Sequence, residues 1–209
     1  MKIDTQLLLQ VMQRIAQGDQ RAFEDLYRLF FPRLFNFAML YVHKKEVAEE
    51  IVNDIMMKVW NKKSELPGIL NAETYLFVAV RNHALNYLSQ YSSYHVALEP
   101  ANCQGELISL NDPGKELEWK ELYFRLNQAI DGLPEQCRTV FKLIKEEGFR
   151  YKQVAEILNI SPRTVETQLF RAIKKLDKVI ARYRENAGGK QRNDLPLISI
   201  LLLVICAWQ

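Results

Sequence analysis

The sequence predicts an all-α protein: two small helical domains joined by a flexible linker, the second a helix-turn-helix domain. Three observations carry this reading. Apolar residues recur at helical spacing up to about Tyr91 and again from about Leu117 to Leu176. Between them, Ser92–Lys115 (SSYHVALEPANCQGELISLNDPGK) holds two prolines, two glycines and no sustained period, the composition of a linker. Lastly, YKQVAEILNISPRTVETQLFRAIKKL sets turn residues between two amphipathic stretches. The resulting division is a first domain over 1–92, a linker over 93–115, a second domain over 116–184 and an apolar tail over 185–209.

Each element has its own signal. MKIDTQLLLQVMQRIAQGDQ reads as an amphipathic helix and lacks the apolar run and cleavage site of a secretory leader. Gly18-Asp19 opens a second helix with Phe23, Leu26, Tyr27, Phe30 and Leu34 at helical spacing, and Pro32 is expected to interrupt it. Phe31, Phe35, Phe37 and Tyr41 add aromatic bulk of a core kind. From Lys45, EVAEEIVNDIMMKVW gives a third helix, with Val47, Ile51, Ile55, Val59 and Trp60 as its buried stripe. NKKSELPGILNA breaks at Pro67-Gly68 and reads as a loop. AETYLFVAVRNHALNYLSQY follows as a helix with Leu76, Val80, Ala84 and Leu88 inward. After the linker, LPEQCRTVFKLIKEEG places Pro134 in a first helical turn and Gly148 at a helix stop.

Composition narrows the function. The chain has 209 residues, 48% hydrophobic and 25% charged, enough for one domain or two small ones. Cys103, Cys137 and Cys206 are widely spaced and form no CxxC pair, as in a reducing cytoplasm. His43, His83 and His95 show no metal-ligand spacing, so no metal or other cofactor is expected. Enzyme chemistry finds no Gly-rich phosphate loop, no GxSxG and no paired His/Cys. The adjacent acids Glu49-Glu50 and Glu146-Glu147 sit on helices and point in different directions. Net charge is only +3, but Pro162–Arg184 holds seven basic residues against Glu166 and Asp177. That local excess suits a phosphate-rich partner.

The helix-turn-helix reading explains where the charge sits. Val154, Ala155 and Leu158 form the inner face of a short helix. Asn159 falls at the turn, where Asn tolerates left-handed backbone, and Ile160 plugs the turn. Ser161 can cap the next helix and Pro162 suits its first position. Val165, Leu169, Ile173 and Leu176 line its buried side. The opposite side carries Arg163, Thr164, Glu166, Thr167, Arg171 and Lys174. In this motif the start of the second helix meets base edges in the major groove. Arg bonds guanine, Glu accepts from cytosine and Thr meets a thymine methyl, while later basic residues hold phosphate.

Two blocks together bear a family resemblance. AEEIVNDIMMKVW, a Pro/Gly loop and TYLFVAVRNHALNYL resemble the second conserved region of bacterial sigma factors. LPEQCRTVFKLIKEEGFRYKQVAEILNISPRTVETQLFRAIKKL resembles their fourth region. Over Gly18–Leu176 the chain is similar to an extracytoplasmic-function (ECF) RNA polymerase sigma factor. The resemblance implies a protein that binds core RNA polymerase and directs promoter-specific transcription initiation, with promoter DNA, polymerase and an anti-sigma factor as partners. It implies that Glu49, Glu50, Asn53 and Asp54 dock on polymerase, an acidic face steering toward a basic one. Here Asn53 stands where the family usually has Gln, and Met56 where it usually has Phe. It further implies that Arg81, Asn82, Asn86 and Tyr87 read the downstream (minus ten) element. The resemblance also implies that the loop at about Lys62–Asn71 captures a flipped base, which would couple reading to melting. Tyr75 and Tyr91 fit either this surface or the core. The upstream (minus thirty-five) element falls to Arg163, Thr164, Glu166, Thr167, Arg171 and Lys174.

A stand-alone helix-turn-helix transcriptional regulator is the competing reading, but no receiver-type alternation of strands and helices precedes the motif. An adaptor that binds polymerase without DNA has no use for the intact second helix. Leu195–Trp208 (LPLISILLLVICAW) belongs to neither region. It is too short for a comfortable membrane span and reads as buried, partner-covered or in contact with a membrane. Cutting the chain after Arg184 is expected to change solubility, inhibition by an anti-sigma factor or membrane fractionation, and leave promoter choice alone. Fractionation and transcription assays on the two lengths check this.

Overall fold

The structure is a computed structural model that describes residues 5–91 and 124–186. The linker at 93–115, residues 116–123 and the tail Leu195–Trp208 lie outside the described residues. All described elements are helical. Four α-helices belong to the amino-terminal unit: α1 (Thr5–Ala16), α2 (Gln20–Val42), α3 (Lys45–Asn61) and α4 (Ala72–Tyr91). A 3-10 turn at Lys63–Gly68 joins α3 to α4. The carboxy-terminal region holds α5 (residues 124–131), α6 (Glu135–Lys145), α7 (Tyr151–Leu158) and α8 (Pro162–Asn186). None of these is long and apolar enough to cross a membrane.

In the amino-terminal unit α2 is the central element, packing against α1, α3 and α4. It buries Ala22, Leu26, Phe30, Leu34, Phe37 and Ala38. The helix is not interrupted at Pro32, as the sequence reading expected, but runs through it. Pro32 is exposed. The carbonyl that loses its helical partner to proline therefore lies on the side that water reaches, and the packed side holds the helix together. Phe23 and Tyr27 are half-buried. Phe23 meets Trp60 of α3 at 5.1 Å between ring centroids. Tyr27, Phe31 and Phe35 stack along one flank of α2 at 5.1 and 6.1 Å.

The buried side of α3 is wider than the single stripe expected. Ile51, Ile55 and Val59 are joined by Ala48, Val52 and Met56, because α3 meets both α2 and α4. Met56 is 1% exposed, and its flexible thioether chain packs into the core. Leu76, Val80 and Ala84 of α4 are fully buried. Arg33 of α2 bonds Glu73 of α4 at 2.6 Å, and both side chains are largely shielded from water. The Arg33 guanidinium also lies 5.2 Å from the Phe30 ring and 5.6 Å from the Phe77 ring.

In the carboxy-terminal unit α8 packs chiefly on α6. Its buried residues are Val165, Leu169, Ala172, Leu176 and Ile180. Ile173, expected among them, is only half-buried. A straight helix advances about 100° per residue, which carries Ala172 rather than Ile173 under the Val165–Leu176 row. Gly148 ends α6 region backbone at φ 74°, and the Phe149 amide reaches back to the Leu143 carbonyl at 3.0 Å.

Asp19 shows how tightly one junction is specified. Its carboxylate accepts from the amides of Arg21 and Ala22 at the start of α2 and from Arg14 Nε of α1 at 2.9 Å. The Ala22 amide, then Arg14, hold the Asp19 carboxyl below the ordinary value of 3.8. A lowered folded-state pKa means stability that is present above the ordinary value and lost as pH falls below it. Thermal melts of the wild type should therefore drop as pH descends through the range below 3.8. Asp19→Asn, which still caps, should melt lower at neutral pH but lose less on acidification.

Candidate nucleic-acid interface

The turn between α7 and α8 fixes what α8 presents. Val154 and Ile157 of α7 are fully buried, Ala155 and Leu158 nearly so. Asn159 adopts φ 50°, the left-handed conformation that ends one helix and redirects the chain. Ile160 is half-buried in the turn. Ser161 caps α8: the Thr164 amide donates to its Oγ at 3.0 Å. Pro162 then takes the first helical position, where its missing N–H costs nothing.

The face opposite the buried row is a mixed polar surface. Arg163, Glu166, Thr167, Arg171 and Lys174 are exposed, and Thr164 is half-buried. The two threonines have committed their hydroxyls locally. Thr164 Oγ1 lies 2.8 Å from Ser161 Oγ, and Thr167 Oγ1 donates to the Arg163 carbonyl at 2.9 Å. Thr167 keeps a methyl group and an acceptor lone pair to offer, while Thr164 shares its hydroxyl contact with Ser161, where either oxygen can donate.

Phe170 shares this face and was missed by sequence reasoning. At helical spacing it falls between Arg163, Lys174 and Glu166, and it is 66% exposed. Its apolar type pointed to the core; only the phase of the helix reveals otherwise. Arg150, Tyr151 and Lys152, at the start of α7, are also exposed.

Polar bonds hold α8 on its support. Gln168 accepts from Cys137 Sγ at 2.9 Å and donates to Gln136 Oε1 at 2.9 Å. Lys175 Nζ donates to the Gly132 carbonyl at 2.7 Å. These contacts lie beside the exposed face and leave it free.

In the amino-terminal unit Glu49, Glu50, Asn53 and Asp54 are all exposed on α3. Asn53 is held from across the helix pair, accepting from the Tyr27 hydroxyl at 2.8 Å. Asp54 lies 3.7 Å from His83 Nε2 of α4. Met57, one turn beyond Asn53, is 56% exposed and was not singled out from the sequence. On α4, Asn82 and Asn86 are exposed, Arg81 and Tyr87 half-buried. Arg81 bonds Asn82 Oδ1 at 3.3 Å. Tyr75 is 39% exposed and so is no core residue. A groove of about 520 Å³ runs along the junction of α3 and α4, with Val47, Ile51 and Ile55 on one wall and Asn82, Asn86 and Tyr87 on the other.

This arrangement defines a class: an all-helical DNA-binding protein with a capped helix-turn-helix and a separate helical unit that exposes an acidic face. Comparison with known proteins gives the family. Residues 26–93 match the model of Sigma-70 region 2 and residues 123–176 that of Sigma-70 region 4, in all more than half the chain. The RNA polymerase sigma-H factor of Pseudomonas aeruginosa is 25% identical over 178 residues, which span 82% of this chain and 92% of that protein. The ECF RNA polymerase sigma-E factor of Escherichia coli K12 is 27% identical over 177 residues, covering 81% and 92%. Among solved structures, the sigma factor RpoE of Bartonella quintana, determined with the anti-sigma factor NepR, superimposes with a TM-score of 0.56. It is 24% identical and is matched over 76% of this chain and 96% of its own. CnrH, solved with the cytosolic domain of CnrY, gives a TM-score of 0.54 at 19% identity, over 83% of this chain and 97% of its own. The chain belongs to the sigma-70 family, as a sigma factor of the ECF kind that directs promoter-specific transcription initiation.

Proposed function

We propose that the two units divide that task between them. α3 docks on core RNA polymerase through Glu49, Glu50, Asn53 and Asp54. α4 reads the downstream promoter element through Arg81, Asn82, Asn86 and Tyr87. α8 reads the upstream element, with Arg163, Glu166 and the methyls of Thr164 and Thr167 toward the bases and Arg171 and Lys174 on phosphate. The observation that carries this is the capped start of α8, whose exposed face offers a donor, an acceptor and apolar groups side by side. Phe170 adds a further apolar contact in that face, and Arg150 and Lys152 flank it with positive charge.

The protein acts in the cytoplasm and is regulatory, with no catalytic site of its own. Its partners are polymerase, promoter DNA and an anti-sigma factor, as the solved relatives were determined with NepR and CnrY. An acidic α3 surface speeds encounter with a basic partner and loses that advantage as salt rises.

Run-off transcription with bacterial core polymerase on a library of promoter fragments tests this reading. Transcripts that depend on the chain and share two spaced motifs support it. DNA binding by the chain alone, without transcripts, would instead support a stand-alone regulator. In the same assay Arg163→Ala should cost about 1–3 kcal/mol at one base position and relax the preference there. Arg171→Ala should weaken all upstream sequences alike and lower the salt slope by about one. Equal losses for both variants on every sequence would contradict the assignment.

A further inference from the structure

One hydrogen bond ties a proposed docking side chain to a neighbouring helix. Asn53 is exposed on α3. Its Oδ1 accepts from the Tyr27 hydroxyl of α2 at 2.8 Å, across 26 positions of sequence. An exposed amide ordinarily turns freely and offers either end to water. Here the carbonyl end is taken. The amino end is left to face outward, and it carries donors only.

Tyr27 is itself held in place. Its ring stacks on Phe31 at 5.1 Å between centroids and 26° between planes, and Phe31 stacks on Phe35 at 6.1 Å and 14°. All three rings are half-buried. Rings at such separations attract one another beyond the area they cover. The backbones are fixed as well: Leu26, next to Tyr27, is 1% exposed, and Val52, next to Asn53, is fully buried. A braced donor thus meets an acceptor on a packed helix. The bond adds little to stability, because water would serve both exposed groups nearly as well. What it supplies is direction. A side chain already held in its bound rotamer gives up less entropy when a partner arrives.

We propose that Tyr27 is a positioning residue for polymerase docking: it turns the Asn53 amide so that its N–H groups point outward, toward a neutral acceptor such as a carbonyl oxygen on polymerase. This rests on the docking reading of α3 given above and adds a residue of α2 to it. Glu49, Glu50 and Asp54 attract a basic partner from a distance, whereas the Asn53 donor acts only at contact. Salt separates the two contributions, because it screens the first and spares the second.

The test measures binding of the full chain to bacterial core polymerase by fluorescence anisotropy, at low and high salt. Tyr27→Phe removes the hydroxyl and keeps the ring stack. It should weaken binding about two- to tenfold, the worth of one hydrogen bond, and by the same factor at both salts. Asn53→Ala should weaken binding at least as much. The double variant should bind no worse than Asn53→Ala alone, since the hydroxyl then has nothing to orient. A further loss in the double variant would mean that Tyr27 acts through the fold, and overturns the proposal. So does wild-type binding by Tyr27→Phe, or a loss that shrinks with salt as a charge effect does. Wild-type binding by Asn53→Ala overturns the docking role of Asn53 and the positioning role with it. A loss in Asn53→Ala beside an indifferent Tyr27→Phe removes the positioning role alone.

Discussion

What the amino-terminal unit can present depends on where α4 begins, and one ion pair sets that point. Arg33 reaches from α2 to Glu73 in the first turn of α4, with its guanidinium against Phe30 and Phe77. The pair is mostly shielded, so removing either member would cost more than the loss of a surface ion pair. Asn71 caps the same turn and Leu76 and Phe77 bury the next. From this fixed start the helical period determines which side chains face out at Tyr75, Asn82 and Asn86. The pair itself is structural, yet every exposed residue of α4 inherits its direction from it.

The carboxy-terminal unit reaches the same result by a different route. There the controlling feature is backbone geometry at Asn159 followed by the Ser161 cap. α7 has only eight residues, too few to persist by helix propensity alone, so burial of Val154 and Ile157 must hold it. Gln168 and Lys175 then tie one flank of α8 to Gln136, Cys137 and the Gly132 carbonyl. The polar bonds are spent on the flank and the apolar ones on the back. The front keeps charges of both signs, two threonine methyls and the Phe170 ring.

Local chemistry was legible in the sequence wherever one residue type has one structural use. Asn159 in the left-handed region, Ser161 as a cap, Pro162 at the first position and the stop at Gly148 all follow from what those residues can do. Three features were not legible, each for a physical reason. Pro32 marks a break only if the lost hydrogen bond is hidden from water, and exposure is a tertiary property. Ala172 and Ile173 exchange burial because helical phase, not apolar type, decides which of two adjacent apolar residues faces inward. The Tyr27–Asn53 bond joins residues 26 positions apart, and nothing in either neighbourhood announces it. The same limit applies to the candidate site. The charged and amide residues could be named from the sequence, whereas Phe170 and Met57 could not. An apolar residue reads as core until a fold puts it outside.

The length of α8 has a mechanical meaning. At 25 residues it is a single rod of roughly 37 Å, and its far half is continuous with the half that bears Arg163 and Phe170. A rod has no private ends. A partner that grips it beyond Leu176 and tilts it by a few degrees would swing the residues proposed to read DNA without touching them. The same helix would thus be both pen and handle, and control of the proposed reading surface would not require access to it.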